Sequence, residues 1–214
     1  MERNNNIDKL INQAFKYAKT ITNPEQIYKM PDINSLPVDI RKLKLASFIN
    51  INFPDKTTKI IDVACGFCPH FLEILYEIGY KNVVGMDPIT KKNDFAKQIP
   101  LDGSSFNENT NISMYDLLIS VHGCGLAELM IKRCINENKS FVIVPCDCVR
   151  PYYIDELFLL SDKRWDSKTE WLNHLKNLSN SIKHIPDFYS NHSEEEKRLE
   201  YNPHLLYTKS KYVN

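Results

Sequence analysis

The feature that most constrains the fold is a strand, helix and second strand in succession within residues 59–88. Residues 60–63 form a short apolar run rich in β-branched side chains, which is typical of a buried parallel strand. Apolar side chains then recur at helical spacing over residues 71–78, and Gly79 can end that helix. A second apolar run follows at residues 83–86. This order predicts one βαβ unit of a parallel α/β sheet.

The loop after the first strand limits the kind of ligand. It carries one glycine, Gly66, whereas a pyrophosphate needs several glycines so that backbone amides can approach the phosphates. A nucleoside without phosphates needs only a tight turn and an acceptor for its ribose hydroxyls. Asp62 ends the first strand and Asp87 follows the second, where open α/β sheets bind their ligands. We therefore predict a nucleoside site in which Asp87 accepts hydrogen bonds from the ribose.

The same loop resembles the first motif of the class I, Rossmann-like S-adenosylmethionine (SAM)-dependent methyltransferases. That motif is an acid, two or three small residues, glycine, any residue and glycine. The matching residues here are Asp62, Ala64, Cys65, Gly66 and Cys68, with Ala64 and Cys68 at places usually held by glycine. The resemblance implies a seven-stranded α/β sheet with helices on both faces, SAM as the cofactor and methyl transfer as the activity. It also implies that Asp62 lies near the methionine end of SAM and Gly66 under its nucleoside.

Two turns further along the chain extend the resemblance. His-Gly-Cys-Gly at 122–125 and Pro-Cys-Asp-Cys at 145–148 each follow a predicted strand. They are similar to the His-Ala-Cys-Gly-like and Pro-Cys-Cys-like turns of a methyltransferase subgroup that includes tRNA-methylating enzymes. The similarity covers residues 59–148. Because both turns lie at strand ends that flank the crevice, we predict that they form the acceptor side of the site, with His122 and Asp147 as catalytic residues. An imidazole can take up a proton near neutral pH. The alternative is that His122 is a turn residue hydrogen-bonded to the backbone.

The other site positions follow from their places at predicted strand ends. Asp102 follows a third strand that should end near Leu101, where the family carries an acid or amide beside adenine. An Asp-Gly pair is also an ordinary turn signal. No metal ligand is predicted. The predicted cofactor contacts are Asp62, Ala64, Cys65, Gly66, Met86, Asp87, Asp102, Gly103 and Ser120.

Later apolar segments predict the rest of the sheet. A fourth strand is predicted over residues 115–121 and a fifth over 141–144, with a helix between them. Residues 204–209 resemble the last strand of the class, which pairs antiparallel at the sheet edge.

Cysteine thiols support a second hypothesis. Five of them would converge at the carboxyl ends of the first, fourth and fifth strands: Cys65, Cys68, Cys124, Cys146 and Cys148. Thiolates bind zinc, iron–sulfur centres and soft metalloids, although a free cysteine is also a small, readily buried hydrophobe. A third hypothesis is a non-catalytic domain that binds a nucleoside or a partner.

Charge and length narrow the partners and the domain organisation. The 214-residue chain has 27 basic and 27 acidic residues, so an overall basic surface for nucleic acid is absent. A small-molecule acceptor is therefore favoured, with RNA as the alternative. No run of 18 apolar residues and no signal-peptide core is present, which predicts a cytoplasmic protein without membrane contact. Residues 1–55 are predicted to form a helical extension or lid, with helices over 7–18 and 38–50, and residues 56–214 the SAM-binding domain. The oligomeric state is not indicated.

Overall fold

A computed structural model describes residues 39–66, 70–89, 99–145, 168–186, 188 and 204–210. The helices are α1 (Asp39–Asn52), α2 (His70–Glu77), α3 (Ala127–Asn136) and α4 (Lys168–Asn177). The strands are β1 (Ile60–Val63), β2 (Val83–Met86), β3 (Leu101–Asp102), β4 (Leu117–Val121), β5 (Ser140–Val144), β6 (Lys183–Ile185) and β7 (Leu205–Thr208). A single 3-10 turn, Cys124–Leu126, precedes α3. No helix in these ranges is both long enough and apolar enough to cross a membrane.

The seven strands form one sheet in the order β3-β2-β1-β4-β5-β7-β6. Strands β1 to β5 pair in parallel, and β7 runs antiparallel to both of its neighbours. The sheet therefore confirms the predicted seven-stranded, Rossmann-like α/β fold. The strand order reverses between β1 and β4, which makes the ends of these two strands the expected place for a ligand. We call the side where β1 to β5 end the carboxyl edge of the sheet.

One prediction about the sheet is wrong in detail. The last strand is present and antiparallel, but β7 lies between β5 and β6 and not at the edge. Its first two residues, Leu205 and Leu206, are buried and belong to the cores on opposite faces of the sheet, as befits an internal strand. The edge strand is β6, whose Lys183 is exposed and whose His184 and Ile185 are half-buried. Polar residues at an edge strand oppose pairing with other chains.

Alternating burial builds a core on each face of the sheet. Ile60 of β1 joins α1 and α2 on one face, and Ile61 and Val63 join α3 and α4 on the other. Because successive side chains of a strand point to opposite faces, Asp62 must face the side covered by α1 and α2. Helices on both faces were predicted, and these two cores confirm them.

The helix expected at residues 38–50 is present as α1 and is part of the main core. Leu43, Leu45 and Ile49 are fully buried in the core that includes α2 and the sheet. The Tyr80 hydroxyl donates a hydrogen bond to the Phe53 carbonyl at 2.6 Å, which ties the end of α1 to the connection between α2 and β2. The helix expected over residues 7–18 lies outside the described residues. The boundary between residues 55 and 56 stays a prediction.

One strand boundary also differs from that expected. β4 begins at Leu117 and not at residue 115, because the Tyr115 amide donates to the Ile112 carbonyl in a turn. β3 contains only Leu101 and Asp102, so it ends one residue after Leu101, which agrees with the predicted end of the third strand.

Candidate functional site

The loop after β1 turns through two residues in the left-handed region. Ala64 has φ of 60° and Gly66 has φ of 76°. The Ala64 and Cys65 amides donate to the Met86 carbonyl at 2.8 and 3.4 Å, which holds the loop against the end of β2. A Cβ on Gly66 would meet nothing within 4 Å, so glycine serves the backbone conformation there and not a close contact. Alanine in the left-handed region is strained, and strain of this kind gathers at functional sites.

Asp87 joins this loop to β2 and β3. Its Oδ2 accepts a hydrogen bond from the Gly66 amide at 2.9 Å, and its Oδ1 accepts one from the Ile89 amide at 2.9 Å. The Asp87 amide donates to the Asp102 carbonyl at 3.0 Å. Two backbone amides therefore fix the orientation of the carboxylate at the carboxyl edge, directly beside the β1 loop.

Asp62 is a buried acid in the centre of the sheet. It pairs with Gly85 of β2 and Ile119 of β4, is 3% exposed, and its Oδ1 has no hydrogen-bond partner among the described residues. The pKa of Asp62 is raised to about 8, mainly by burial; the positive charge of Lys42 opposes this rise, and the nearby Asp87 charge adds to it. An unpartnered buried carboxyl group is costly unless a ligand or ion satisfies it.

Lys42 was not singled out from the sequence. It lies on α1, twenty residues before Asp62, and is half-buried. Its positive charge acts on Asp62 because α1 packs against the same face of the sheet. No local pattern links these two residues, so only the packing of α1 could reveal the pair.

Gly85 is a second residue that the motif search missed. A Cβ there would lie 2.9 Å from Cys65 Sγ, 2.9 Å from Leu101 Cδ2 and 3.0 Å from Leu72 Cδ1. Its lack of a side chain lets the β1 loop, β3 and α2 approach β2 closely. An isolated glycine inside a strand pattern is the signal that could have indicated this close approach.

The turn after β4 touches the loop after β1. His122 has φ of 60°, its amide donates to the Val144 carbonyl at 2.9 Å, and its side chain is exposed. A Cβ on Gly123 would lie 2.2 Å from Ser120 Oγ and 3.2 Å from Ala64 Cβ. Ser120 is buried, and its hydroxyl has no hydrogen-bond partner among the described residues. The ends of β1 and β4 thus form one surface, with a strained, non-glycine residue on each side.

We expect Gly123→Ala to lower the free energy of unfolding by about 1–3 kcal/mol, the usual cost of adding a methyl group to a packed site. Gly123 has φ of −74°, so the cost is steric and not conformational. Ser120→Ala removes the atom nearest to the new methyl, so the double variant should regain part of the loss. Urea unfolding of both single variants and the double variant gives the coupling energy.

Gly125→Ala is the matched control, because a Cβ at Gly125 meets nothing within 4 Å. A Gly123→Ala protein as stable as the wild type, or no coupling with Ser120→Ala, would contradict the close approach of the two turns.

The remaining predicted residues are less closely joined to this surface. The Asp102 carbonyl contacts Asp87, but its exposed carboxylate accepts a hydrogen bond from the Ser104 amide at 2.9 Å, as in an ordinary turn. Gly103 is exposed, with open space where a Cβ would lie. Asp147 lies outside the described residues, so its predicted catalytic role stays a prediction.

The structure gives the thiol hypothesis no support among the described residues. Burial, with smaller contributions from the charges of Asp62 and Asp87, raises the pKa of Cys65 to about 12, so its thiol keeps its proton at neutral pH. A protonated thiol is a poor metal ligand. No group of three His, Cys, Asp or Glu side chains in the described ranges converges as a metal site would. Cys68, Cys146 and Cys148 lie outside those ranges, and only the backbone of Cys124 is described.

The strand order and the antiparallel β7 define a Rossmann-like, seven-stranded α/β fold. Two solved structures share this fold with the chain. One is a ribosomal protein L11 methylase from Lactobacillus delbrueckii subsp. bulgaricus, with a TM-score of 0.50, 12% identity and 79% of each chain covered. The other is the plantazolicin methyltransferase BpumL in complex with SAH, with a TM-score of 0.50, 14% identity, and 96% of this chain and 99% of that chain covered. No protein-family model matches the chain, and no curated protein matches its sequence.

Proposed function

We propose that this chain is a SAM-dependent methyltransferase whose cofactor lies at the carboxyl edge, against the β1 loop and Asp87. The observation that carries the proposal is the hydrogen bond from the Gly66 amide to Asp87 Oδ2 at 2.9 Å. This hydrogen bond holds the left-handed turn of the β1 loop beside the oriented Asp87 carboxylate. Both lie next to the point where the strand order reverses, which is where α/β sheets bind nucleosides. Each carboxylate oxygen can accept more than one hydrogen bond, so Asp87 can serve ribose hydroxyls as well as these amides.

The other strand-end residues fit the parts of the same cofactor. Asp62, buried with an unpartnered oxygen, suits the positively charged amino group at the methionine end. Ala64, Cys65 and Gly66 lie under the nucleoside, and Met86 is buried beside them. Asp102, Gly103 and Ser120 complete the set assigned from the sequence.

Ile89 adds an apolar surface that the sequence did not single out. Its side chain is 59% exposed, and it follows Asp87 by two residues at the end of β2. An exposed isoleucine next to the ribose acceptor suits one face of a flat adenine ring, because burying apolar surface against a base is favourable. We assign it to that contact.

The task of this chain is alignment and removal of water. When bound, SAM supplies a methyl group on a sulfonium, which an acceptor displaces in line. The β1 loop and Asp87 hold the nucleoside end, and the turn after β4 faces the acceptor. His122, exposed at that turn, takes the proton that the acceptor loses. The balanced charge favours a small-molecule acceptor over RNA.

Calorimetry with SAM and with its demethylated product, SAH, tests the proposal directly. We expect one binding site for each, and no binding of ATP, because the loop has one glycine and lacks a phosphate cradle. Elemental analysis of the same sample tests the thiol hypothesis. Absence of binding by both SAM and SAH would refute the methyltransferase proposal, and binding with no turnover on any acceptor would favour a non-catalytic nucleoside domain.

We expect His122→Asn to bind SAM within about twofold of the wild type while lowering turnover by roughly a hundredfold or more, the usual contribution of a general base. Asparagine is chosen because it tolerates the left-handed backbone of His122 better than alanine does. The measurement is steady-state formation of SAH with an acceptor found by screening small nucleophiles. Unchanged turnover in His122→Asn would remove His122 from the catalytic role.

A further inference from the structure

Two histidines outside the proposed cofactor site face each other on the β7–β6 side of the sheet, away from β1 and β2. His184 lies in β6 and His204 immediately precedes β7, and both are half-buried. His184 Nε2 lies 3.0 Å from His204 Nδ1, and the ring centroids are 5.1 Å apart. The two imidazoles therefore direct a ring nitrogen each at one shared point.

The strands fix this convergence. His184 pairs with Leu206 and Ile185 pairs with Leu205, so His184 and His204 are diagonal neighbours on one face of an antiparallel pair. Such positions are set by the backbone ladder and not by a loop. Because Leu206 also pairs with Ile143 of β5, His204 lies two residues further towards the carboxyl edge. His204 thus lies at the carboxyl edge, level with the residue that follows β5, and His184 lies level with Ile143 inside β5.

The chemistry of the pair allows either a proton or a metal ion between the rings. Two neutral imidazoles at this distance share one proton, one ring donating and the other accepting. A Zn²⁺ ion takes imidazole nitrogens at about 2.0–2.1 Å, so two corners of its tetrahedron lie roughly 3.3–3.4 Å apart. The observed separation of 3.0 Å needs to widen by only a few tenths of an ångström. The half-buried position favours a bound ion over one held in open water.

We propose that His184 and His204 form a two-imidazole site for a divalent transition metal ion of the type that prefers nitrogen ligands, such as Zn²⁺. Two protein ligands leave the other coordination positions to water or to an acceptor at the carboxyl edge. On binding, the shared N–H moves to the other nitrogen of its own ring, so two neutral imidazoles take up the ion without net release of a proton. The metal site does not depend on SAM, so its test is independent of the methyltransferase proposal.

Calorimetric titration of the metal-free full chain with Zn²⁺ at pH 7.5 tests the site. We expect one ion bound per chain, and no binding of Mg²⁺, which takes oxygen ligands. His184→Gln and His204→Gln should each weaken zinc binding at least tenfold, because each removes one of the two protein ligands. Glutamine keeps a polar side chain at these half-buried positions, and circular dichroism verifies the fold. Repeating the titration in buffers of different ionisation enthalpy should give the same binding enthalpy, because two neutral imidazoles release no proton.

His174→Gln is the matched control, since His174 is also half-buried and lies 3.1 Å from Glu128 rather than beside a second imidazole. It should bind zinc as the wild type does. The proposal is overturned if the wild type binds no zinc or if both histidine variants bind it unchanged. It is also overturned if Cys65→Ser, and neither histidine variant, abolishes binding, which would assign the metal to the thiols.

Discussion

As the pH rises from 4 to 8, ionisation of Asp62 should lower the free energy of unfolding of the wild-type protein by an amount on the order of 4 kcal/mol. Asp62→Asn is expected to abolish this fall. Burial raises the pKa of Asp62 from 3.8 to about 8. Between these values the unfolded chain has lost the proton and the folded chain keeps it, so the folded state binds more protons. Stability contributed by this group therefore falls as pH rises, at up to about 1.4 kcal/mol per pH unit. Asparagine has nearly the same shape and does not titrate.

The measurement is urea unfolding of both proteins at several values of pH, with the difference between them plotted against pH. All other titrating groups are common to both proteins and largely cancel. Lys42→Met provides the opposite test, because the Lys42 charge lowers the pKa of Asp62 and its removal should deepen the loss at pH 8. Parallel curves for Asp62→Asn and the wild type would mean that Asp62 is ionised in the folded protein.

Asp87→Ala is expected to weaken SAM binding by roughly ten- to a hundredfold. Hydrogen bonds to a charged group contribute about 1.5–3 kcal/mol, which corresponds to that range of affinity. The variant removes both the proposed ribose acceptor and the partner of the Gly66 amide. Calorimetry with SAM measures the combined loss.

A cofactor analogue without the ribose 2′-hydroxyl separates these two contributions. The wild type should bind the analogue more weakly than SAM, whereas Asp87→Ala should bind the two alike if Asp87 contacts that hydroxyl. Asp116→Ala is the matched control, because Asp116 also accepts a backbone hydrogen bond, from the Lys59 amide at 2.9 Å, but lies where β4 begins. Undiminished SAM affinity in a folded Asp87→Ala protein would refute the ribose assignment.

The Asp87 charge acts on two buried groups of the site. The Asp87 charge raises the pKa of Asp62, and both raise the pKa of the Cys65 thiol. The two acids suit SAM, a ligand with a sulfonium and an ammonium group, because a bound positive charge would favour the ionised form of Asp62. Without a ligand, burial and the two acids together keep the Cys65 thiol protonated at neutral pH.

Local patterns were sufficient for much of the sheet. The β-branched runs predicted β1 and β2, and the helical spacing between them predicted α2. Asp87 was assigned from its position alone, and it does contact the β1 loop. The strand and helix predictions succeed because strand burial and helix periodicity are properties of ten to fifteen neighbouring residues. The ribose role of Asp87 stays a prediction.

Strand order was not available from local patterns, and the error on β7 illustrates why. The two-sided burial of Leu205 and Leu206 and the polar character of Lys183 and His184 are consistent with an internal β7 and an edge β6. That comparison needs both segments to be known as strands of one sheet, and β6 was not predicted. Which strands pair depends on contacts between residues far apart in the sequence, because each strand must bury its hydrophobic face against the rest of the sheet.

The sequence by itself determined the βαβ unit, the acids at its strand ends and the turn residues that a nucleoside site requires. Only the tertiary structure decided which distant residues meet: Lys42 acts on Asp62 through the packing of α1, and Gly123 approaches Ala64 because β4 lies next to β1. His184 and His204 likewise meet because β6 pairs with β7. Short-range patterns follow from backbone geometry and side-chain burial. Contacts between residues twenty or more positions apart depend on how the completed elements pack, and no single segment encodes that packing.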